Sequence, residues 1–280
     1  MGRQKSAAMS QRDSRGDITS FARVDAQPQI DFFIQALDAA NAFPDARSIK
    51  QIMIERLELR PGSNLLDLGC GTGDDVAELA AIVGATGTVV GADVSTAMIA
   101  EANRRHGHLS PAVRFMEAEA ERLDLSDGAF DRCRAERLLM HVPHPQRALA
   151  EMARVLGPGG RLVVFDFDWD TMYADSPYKE ITRRLFHSFS DGIRNGWIGR
   201  ALPRLFREAG LQEVADVPHA LRMGCKSAHW LLDGHLAKAV QAGALSSDDL
   251  AEWWSDLEEA DANGRFNLGL LGFVVTGRKP

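Results

Sequence analysis

The chain has 280 residues, 45% of them hydrophobic and 25% charged, so it can bury one sizeable core and is expected to be globular. Its formal net charge of −7 at pH 7 offers no positive field to a polyanion, which disfavours nucleic acid as a partner. No apolar run is long enough to span a bilayer, and the three cysteines are too scattered for a disulfide framework, so we expect a cytoplasmic protein without a membrane partner.

The predicted elements begin after a polar leader over residues 1–20, which is expected to be disordered. Residues 21–60 have apolar side chains at helical spacing and are expected to form the helices of a lid. Strands and helices then alternate, which predicts a doubly wound, mostly parallel α/β sheet. The elements predicted up to residue 167 are helices Pro28–Ala40 and Ala46–Leu57, strand Asn64–Leu68, helix Asp74–Val83, strand Thr88–Ala92, helix Ser95–His106, strands Val113–Glu117 and Phe130–Ala135, helix Pro145–Leu156 and strand Arg161–Phe167.

The pattern changes beyond Phe167. Asp168–Asn195 carries aromatic and charged residues without a strand pattern, so a cap insertion over the ligand site is predicted there. The elements predicted next are helix Ile198–Ala209, strand Leu211–Leu221, a second helical insertion over about residues 227–260 and strand Leu268–Thr276. Residues 61–167 are thus expected to form the ligand-binding core, and residues 168–280 to complete a seven-stranded sheet that carries two helical caps.

The segment Leu66–Gly73 reads Leu-Asp-Leu-Gly-Cys-Gly-Thr-Gly and joins the first predicted strand to a helix. Glycines let a ligand approach the backbone closely, and a helix N-terminus presents free N–H groups. A dinucleotide site would need a further glycine where Asp74 or Val76 stands, so a pyrophosphate would meet an acid. A phosphate-free adenosine with a cationic sulfonium tolerates Asp67 and Asp74 better, which argues against a nicotinamide oxidoreductase.

In this context the segment resembles the first motif, D/E-x-G-x-G-x-G, of the class I S-adenosylmethionine-dependent methyltransferases. The resemblance covers about Leu65 to Phe167 and implies a Rossmann-like fold, S-adenosylmethionine as cofactor and methyl transfer to a small molecule. Leu139–Val142 and Arg154–Gly160 resemble the L-x-H-V and R-V-L-x-P-G-G segments of the branch that modifies small metabolites, the methyltransferase type 11-like branch. Arg134–Arg137 lacks the N/D-P-P-Y sequence that nucleic-acid amino methyltransferases carry at this point.

Cofactor-binding residues follow partly from chemistry and partly from this resemblance. Asp93 ends the second strand, where a carboxylate either accepts the ribose hydroxyls or caps the next helix. The resemblance places Glu119 near the adenine amino group, in a position where the family has Asp, and gives Ala120 a backbone contact to the ring; a solvated acidic loop is the alternative. The full expected set is Asp67, Gly69, Cys70, Gly71, Thr72, Gly73, Asp93, Val94, Met98, Glu119, Ala120 and Arg134.

Two residues are candidates for catalysis. His141 either removes a proton from the acceptor or packs beneath the site. Asp166 ends the fifth strand and resembles an acid that orients a histidine or a substrate hydroxyl in some small-molecule O-methyltransferases; a solvated strand-end acid is the alternative. If both face the transferred methyl group, they form a proton-removing pair.

The cap supplies aromatic side chains that either line a substrate site or, more ordinarily, pack against the core. They are Trp169, Tyr173, Phe186, Trp197, Trp230, Trp253 and Trp254. No metal is predicted, because the cap histidines His187, His219, His229 and His235 show no convincing i, i+4 spacing with carboxylates. The acceptor, possible as an oxygen, nitrogen or carbon nucleophile, is not specified, and a cyclase or regulatory protein that binds S-adenosylmethionine without methyl transfer remains an alternative.

Overall fold

The computed structural model describes residues 21, 24–26, 30–41, 44–109 and 112–280. The leader predicted over residues 1–20 lies outside this part of the chain. The helices and strands described are α1 (Ile30–Asn41), α2 (Pro44–Leu57), β1 (Asn64–Leu68), α3 (Asp74–Val83), β2 (Thr88–Asp93), α4 (Thr96–His106), β3 (Val113–Glu117), β4 (Phe130–Glu136), α5 (Pro145–Val155), β5 (Leu156–Ala174), α6 (Lys179–Gly192), α7 (Ile198–Glu208), β6 (Gln212–Met223), α8 (Cys225–Gln241), α9 (Ser247–Ala262) and β7 (Leu268–Arg278).

The described strands form one seven-stranded sheet in the order β3-β2-β1-β4-β5-β7-β6. The five strands from β3 to β5 pair in parallel. β7 lies antiparallel between β5 and β6. This arrangement confirms the predicted doubly wound, mostly parallel seven-stranded sheet.

Helices cover both faces of the sheet. On one face Met53 of α2 and Leu79 of α3 pack in a cluster with Val163 and Phe165 of β5. On the other face, side chains of α5, α6, α7 and the cap helices form a larger cluster that includes the fully buried Phe206. Because both faces are covered, ligands have access mainly at the carboxyl ends of the parallel strands.

The prediction that Asp168–Asn195 contains no strand is wrong in its first part. β5 continues to Ala174 and pairs there with Leu268 of β7. Asp168 obscured this strand in the sequence, since a carboxylate is rarely buried; here it is 0% exposed and ion-paired with Arg200. The helical part of this insertion therefore starts only at α6.

The second insertion is helical, as predicted, and consists of two helices, α8 and α9. Ser246 separates them by capping α9, where its side chain accepts a hydrogen bond from the backbone of Asp249. Three of the seven cap aromatics are buried here. Trp253 is 0% exposed, and its indole N–H donates to Thr182 Oγ1 at 2.9 Å. Core packing thus accounts for Trp253, as it does for the buried Trp254 and Phe186.

Candidate functional site

A cavity of about 710 Å³ opens at the carboxyl ends of β1, β2, β4 and β5. The glycine-rich turn after β1 lines one end, and aromatic and aliphatic side chains line the other. α1, the start of α2 and α8 contribute the opposite wall. All the residues expected to bind the cofactor line this cavity except Gly73, and His141 lines it as well.

The turn after β1 has a backbone that only glycine adopts easily. Gly69 and Gly71 have φ angles of 77° and 52°. A Cβ atom on Gly71 would lie 3.0 Å from the side chain of Leu37, and one on Gly69 would lie 3.0 Å from Leu138. The turn therefore presents bare backbone to the cavity between two apolar side chains.

Gly73 packs between neighbouring elements, and its contact with a cofactor stays a prediction. It has a φ of 78°, but it does not line the cavity. A Cβ atom there would lie 2.7 Å from the ring of Phe115 and 3.1 Å from Ala102. Gly73 therefore allows the start of α3 to pack against β3 and α4, and the structure gives it no cavity contact.

Asp93 connects the ends of β1 and β2. Its carboxylate accepts hydrogen bonds from the backbone of Gly71 at 3.0 Å and of Ser95 at 2.9 Å, and it lines the cavity. Burial raises its pKa, and the two N–H groups oppose that change. Asp93 therefore supports the turn before α4, but Ser95 is the residue that caps this helix. The contact of Asp93 with the ribose hydroxyls stays a prediction.

Asp25, which the sequence analysis missed, ties the N-terminal region to the same place. Its carboxylate accepts from the Ser95 hydroxyl at 2.6 Å and from the backbone of Thr96 at 3.0 Å. It also lines the cavity. No periodic pattern surrounds Asp25, so only the folded chain reveals this contact across 70 residues.

A buried ion network lies under the middle of the cavity. Arg134 is 1% exposed and contacts Asp67 at 3.4 Å, Asp75 at 2.9 Å and Glu136 at 2.6 Å. Lys50 of α2 also contacts Asp75 and Glu136. Burial raises the pKa of Asp67 to about 7, with Arg134 opposing this change.

This network changes the interpretation of Arg134. Its guanidinium is held by carboxylates, so it orients Asp67 and α3; direct contact between Arg134 and a cofactor remains a prediction. Lys50 and Asp75 were not identified as site residues from the sequence. Asp75 stands in the first helical turn after the glycines, where acids are common, and Lys50 gave no sequence signal.

The segment from Arg137 to Val142 follows β4 and is held from two sides. Asp166 Oδ2 accepts a hydrogen bond from the backbone of Leu139 at 2.9 Å. The side chain of Asn195 donates to the carbonyl groups of Leu139 and Val142, at 2.8 Å in both cases. Asn195 was not identified from the sequence, because the clamp joins residues that are distant in the chain.

His141 and Asp166 do not form a direct pair. Asp166 is 0% exposed, does not line the cavity, and has no hydrogen bond to His141 among the described residues. Burial raises its pKa well above the usual range. Burial and the charges of Arg137 and Arg194 lower the pKa of His141 from 6.5 to about 4, so its imidazole is neutral at pH 7. The geometry makes Asp166 a support for the segment that carries His141.

Of the other predicted residues, some line the cavity and some lie outside it. Trp169 and Trp230 line the cavity, whereas Trp197 is 57% exposed. His229 does have a carboxylate partner at i, i+4, because its Nδ1 lies 3.1 Å from Asp233, contrary to the sequence interpretation. In the part of the chain that the structure describes, no group of three or more metal-ligating side chains occurs.

The cavity fits S-adenosylmethionine better than a nucleotide with phosphates. Several acids line the end near the glycine-rich turn: Asp67, Asp74, Asp75, Asp93 and Glu119. These acids disfavour a phosphate and suit a ligand with a sulfonium and an ammonium group. The backbone-lined turn leaves room for a nucleoside to approach.

Over the described residues, no helix is both long and apolar enough to cross a membrane.

Comparisons with known proteins agree with this fit. Residues 65–160 match the model of a methyltransferase domain. The chain is 38% identical over 249 residues to an uncharacterized 37.1 kDa protein in transposon TN4556 of Streptomyces fradiae, covering 88% of this chain and 71% of the relative. It is 34% identical over 217 residues to the O-methyltransferase cnsE of Penicillium expansum, covering 75% of this chain and 72% of the relative.

A solved structure shares the fold. Haemonchus contortus phosphoethanolamine N-methyltransferase 2, in complex with S-adenosyl-L-methionine, aligns with a TM-score of 0.53 and 17% identity, over 83% of this chain and 52% of that one. At this identity the match shows the fold alone. Together with the more similar sequences, the sheet order and the glycine-rich cavity, it leads to one conclusion: the chain belongs to the class I S-adenosylmethionine-dependent methyltransferases and uses S-adenosylmethionine as its methyl donor.

Proposed function

We propose that the protein methylates a hydroxyl group of a small molecule bound in the apolar half of the cavity. The observation that carries this proposal is the continuity of the cavity from the glycine-rich turn to an apolar compartment. We define the acceptor compartment by the side chains of Met140, Phe165, Phe167, Trp169, Trp230 and Leu270. Such walls suit a flat apolar molecule.

The cofactor half is assigned to the residues around the glycine-rich turn. Backbone groups of Gly69 to Thr72 would face the methionine portion, and Asp93 would accept the ribose hydroxyls. The adenine would lie between the β2 and β3 loops, against the residues Val94, Met98, Glu119 and Ala120. S-adenosylmethionine supplies an activated methyl group, so the chain mainly aligns the acceptor and excludes water.

His141 is the candidate proton acceptor in the compartment. Its imidazole lines the cavity and, with a pKa of about 4, is neutral at pH 7 but only weakly basic, so it suits a hydroxyl group that is itself acidic. Asp166 and Asn195 would position it through the backbone they hold. The name of the relative cnsE, an O-methyltransferase, supports oxygen as the acceptor atom.

The test uses S-adenosylmethionine with a labelled methyl group and a panel of hydroxylated aromatic compounds. We expect label in a small-molecule product together with an equal amount of S-adenosylhomocysteine. Conversion of a compound without S-adenosylhomocysteine would point to a cyclase and contradict the proposal. Label that appears only in protein or nucleic acid would also contradict it.

A matched pair of variants locates the acceptor. Leu270 lines the compartment, whereas its neighbour Leu271 on β7 does not. Leu270→Phe should reduce transfer while the affinity for S-adenosylhomocysteine stays near wild type, because it fills only the acceptor half. Leu271→Phe should preserve both. Equal effects of the two substitutions would place the acceptor elsewhere.

A further inference from the structure

We propose, resting on the proposed function, that Arg137 binds the acceptor through an anionic oxygen, so that the substrate is a flat apolar molecule with an acidic hydroxyl or a carboxylate. Arg137 immediately follows β4 and lines the cavity. It opens the same clamped segment that carries His141. The two side chains thus belong to one rigid piece of the site.

The backbone of Arg137 is in a conformation that a non-glycine residue seldom adopts. Its φ is 56°, and its N–H donates to the carbonyl of Phe165 at 2.8 Å. Strained residues of this kind persist where the surrounding structure holds them, and they concentrate at functional sites. The conformation fixes where the side chain of Arg137 leaves the end of β4.

The guanidinium of Arg137 has unused donors. Within the described residues, Nη2 alone is engaged, by Asn41 Oδ1 at 2.9 Å and by Glu136 Oε1 at 3.2 Å. Nε and Nη1 have no hydrogen-bond partner within the described ranges, although the side chain is only 18% exposed. Arginine donors in this arrangement match the two oxygens of a carboxylate or the single oxygen of a phenolate.

The positive charge of Arg137 is only partly neutralised. Its one acidic partner, Glu136, also contacts Arg134 at 2.6 Å and Lys50 at 3.1 Å. Those two cations also form ion pairs with Asp75. Among the described carboxylates, Glu136 alone lies within ion-pair distance of Arg137, while Asp75 and Asp166 interact with its charge from further away. In the described part of the site, Arg137 is therefore the cation of the network with most charge left for a ligand.

A cationic acceptor fits this wall poorly. Glu136 is occupied by three cations, and Asp45 at the start of α2 accepts a hydrogen bond from the backbone of Arg222 at 3.0 Å. The rest of the acceptor compartment is apolar. An ammonium group would lose its hydration and meet the charge of Arg137, which is unfavourable in a partly buried site.

Binding of an anionic oxygen by Arg137 would also favour product release, because methylation removes the negative charge. A phenolic acceptor gives its proton to His141, and a carboxylate arrives already ionised. The oxygen lone pair then forms the bond to the methyl carbon, while the carbon–sulfur bond breaks and its electron pair stays on sulfur. The resulting ether or ester is neutral, so its attraction to Arg137 is lost.

The test measures binding without transfer, in the presence of S-adenosylhomocysteine. The probes are 4-nitrophenol, 4-nitrobenzoate and 4-nitroaniline, which share one ring and differ in charge. The absorption spectrum of 4-nitrophenol reports its ionisation directly. Bound 4-nitrophenol should titrate about 1 to 3 pH units below the free compound, the effect of a neighbouring cation. 4-Nitroaniline should bind least.

Two arginine variants separate direct contact from a general electrostatic effect. Arg137 and Arg194 both lower the pKa of His141, but Arg194 does not line the cavity. Arg137→Gln should abolish the titration shift and weaken the binding of the anions at least tenfold, whereas Arg194→Gln should leave both near wild type. Arg137→Lys should keep part of the titration shift of 4-nitrophenol. It replaces Arg137→Gln in the test if that variant does not fold.

The outcomes are distinguishable. A shift for 4-nitrophenol with weak binding of 4-nitrobenzoate identifies the acidic hydroxyl, and the reverse identifies the carboxylate. If 4-nitrobenzoate binds no more tightly than 4-nitroaniline and bound 4-nitrophenol titrates like the free compound in the wild type, the inference is overturned. Methyl transfer is scored separately with the labelled donor, so loss of this inference leaves the proposed function standing, and the reverse also holds.

Discussion

Replacing Gly73 by alanine tests whether this glycine serves packing rather than the ligand. The new methyl group would lie 2.7 Å from the ring of Phe115, in a backbone with φ of 78°. Left-handed backbone costs an L residue about 1 to 2 kcal/mol, and overpacking adds about 1 to 3 kcal/mol. We expect Gly73→Ala to lower the free energy of unfolding by about 2 to 5 kcal/mol in total.

Gly159 provides the matched control. Its φ is 75°, and a Cβ atom there would have no neighbour within 4 Å, so Gly159→Ala incurs only the backbone cost. Urea denaturation at pH 7 without ligand measures both variants. The difference should be about 1 to 3 kcal/mol and should shrink when Phe115→Leu is added to Gly73→Ala. Equal losses at the two glycines would refute the packing argument.

The two catalytic candidates give the remaining expectations. Because the pKa of His141 falls from 6.5 to about 4 on folding, the unfolded chain takes up a proton first as the pH drops. The free energy of unfolding should therefore fall between pH 6.5 and 4 by up to about 3 kcal/mol, and urea titrations of His141→Gln should lack this component. Asp166→Asn keeps an acceptor for the Leu139 N–H and should retain most turnover. Asp166→Ala should lose turnover and about 1 to 3 kcal/mol of stability, with little change in the affinity for S-adenosylhomocysteine. Similar turnover losses in both variants would mean that the carboxyl group itself is needed.

Local patterns predicted the fold well, because the strands of a parallel sheet are short apolar runs and the helices between them are amphipathic. The bounds of β1, α3 and β3 agree with prediction. Local patterns failed where a distant residue changes the environment of a polar side chain. Asp168 is buried inside β5 because Arg200 of α7 pairs with it, and no window around Asp168 contains that information.

The residues of the candidate site also differ in whether local sequence patterns could predict them. The glycine-rich turn and Asp93 are adjacent to strand ends, so their place in the cavity was predictable from the sequence. The supports of the site are contacts between distant parts of the chain, such as Lys50 with Glu136 and Asn195 with Leu139. Pairing of this kind depends on how α2 and the cap pack on the sheet, which a single sequence does not specify.

The most direct test of the account is a calorimetric titration of the wild type and of Asp93→Ala with S-adenosylhomocysteine and with NAD. One cavity, formed around the glycine-rich turn and Asp93, is expected to take a phosphate-free adenosine. S-adenosylhomocysteine should bind the wild type, NAD should not, and Asp93→Ala should weaken S-adenosylhomocysteine binding by about 1 to 3 kcal/mol with the fold intact. Unchanged affinity in Asp93→Ala, or comparable binding of NAD, would contradict this assignment of the cavity.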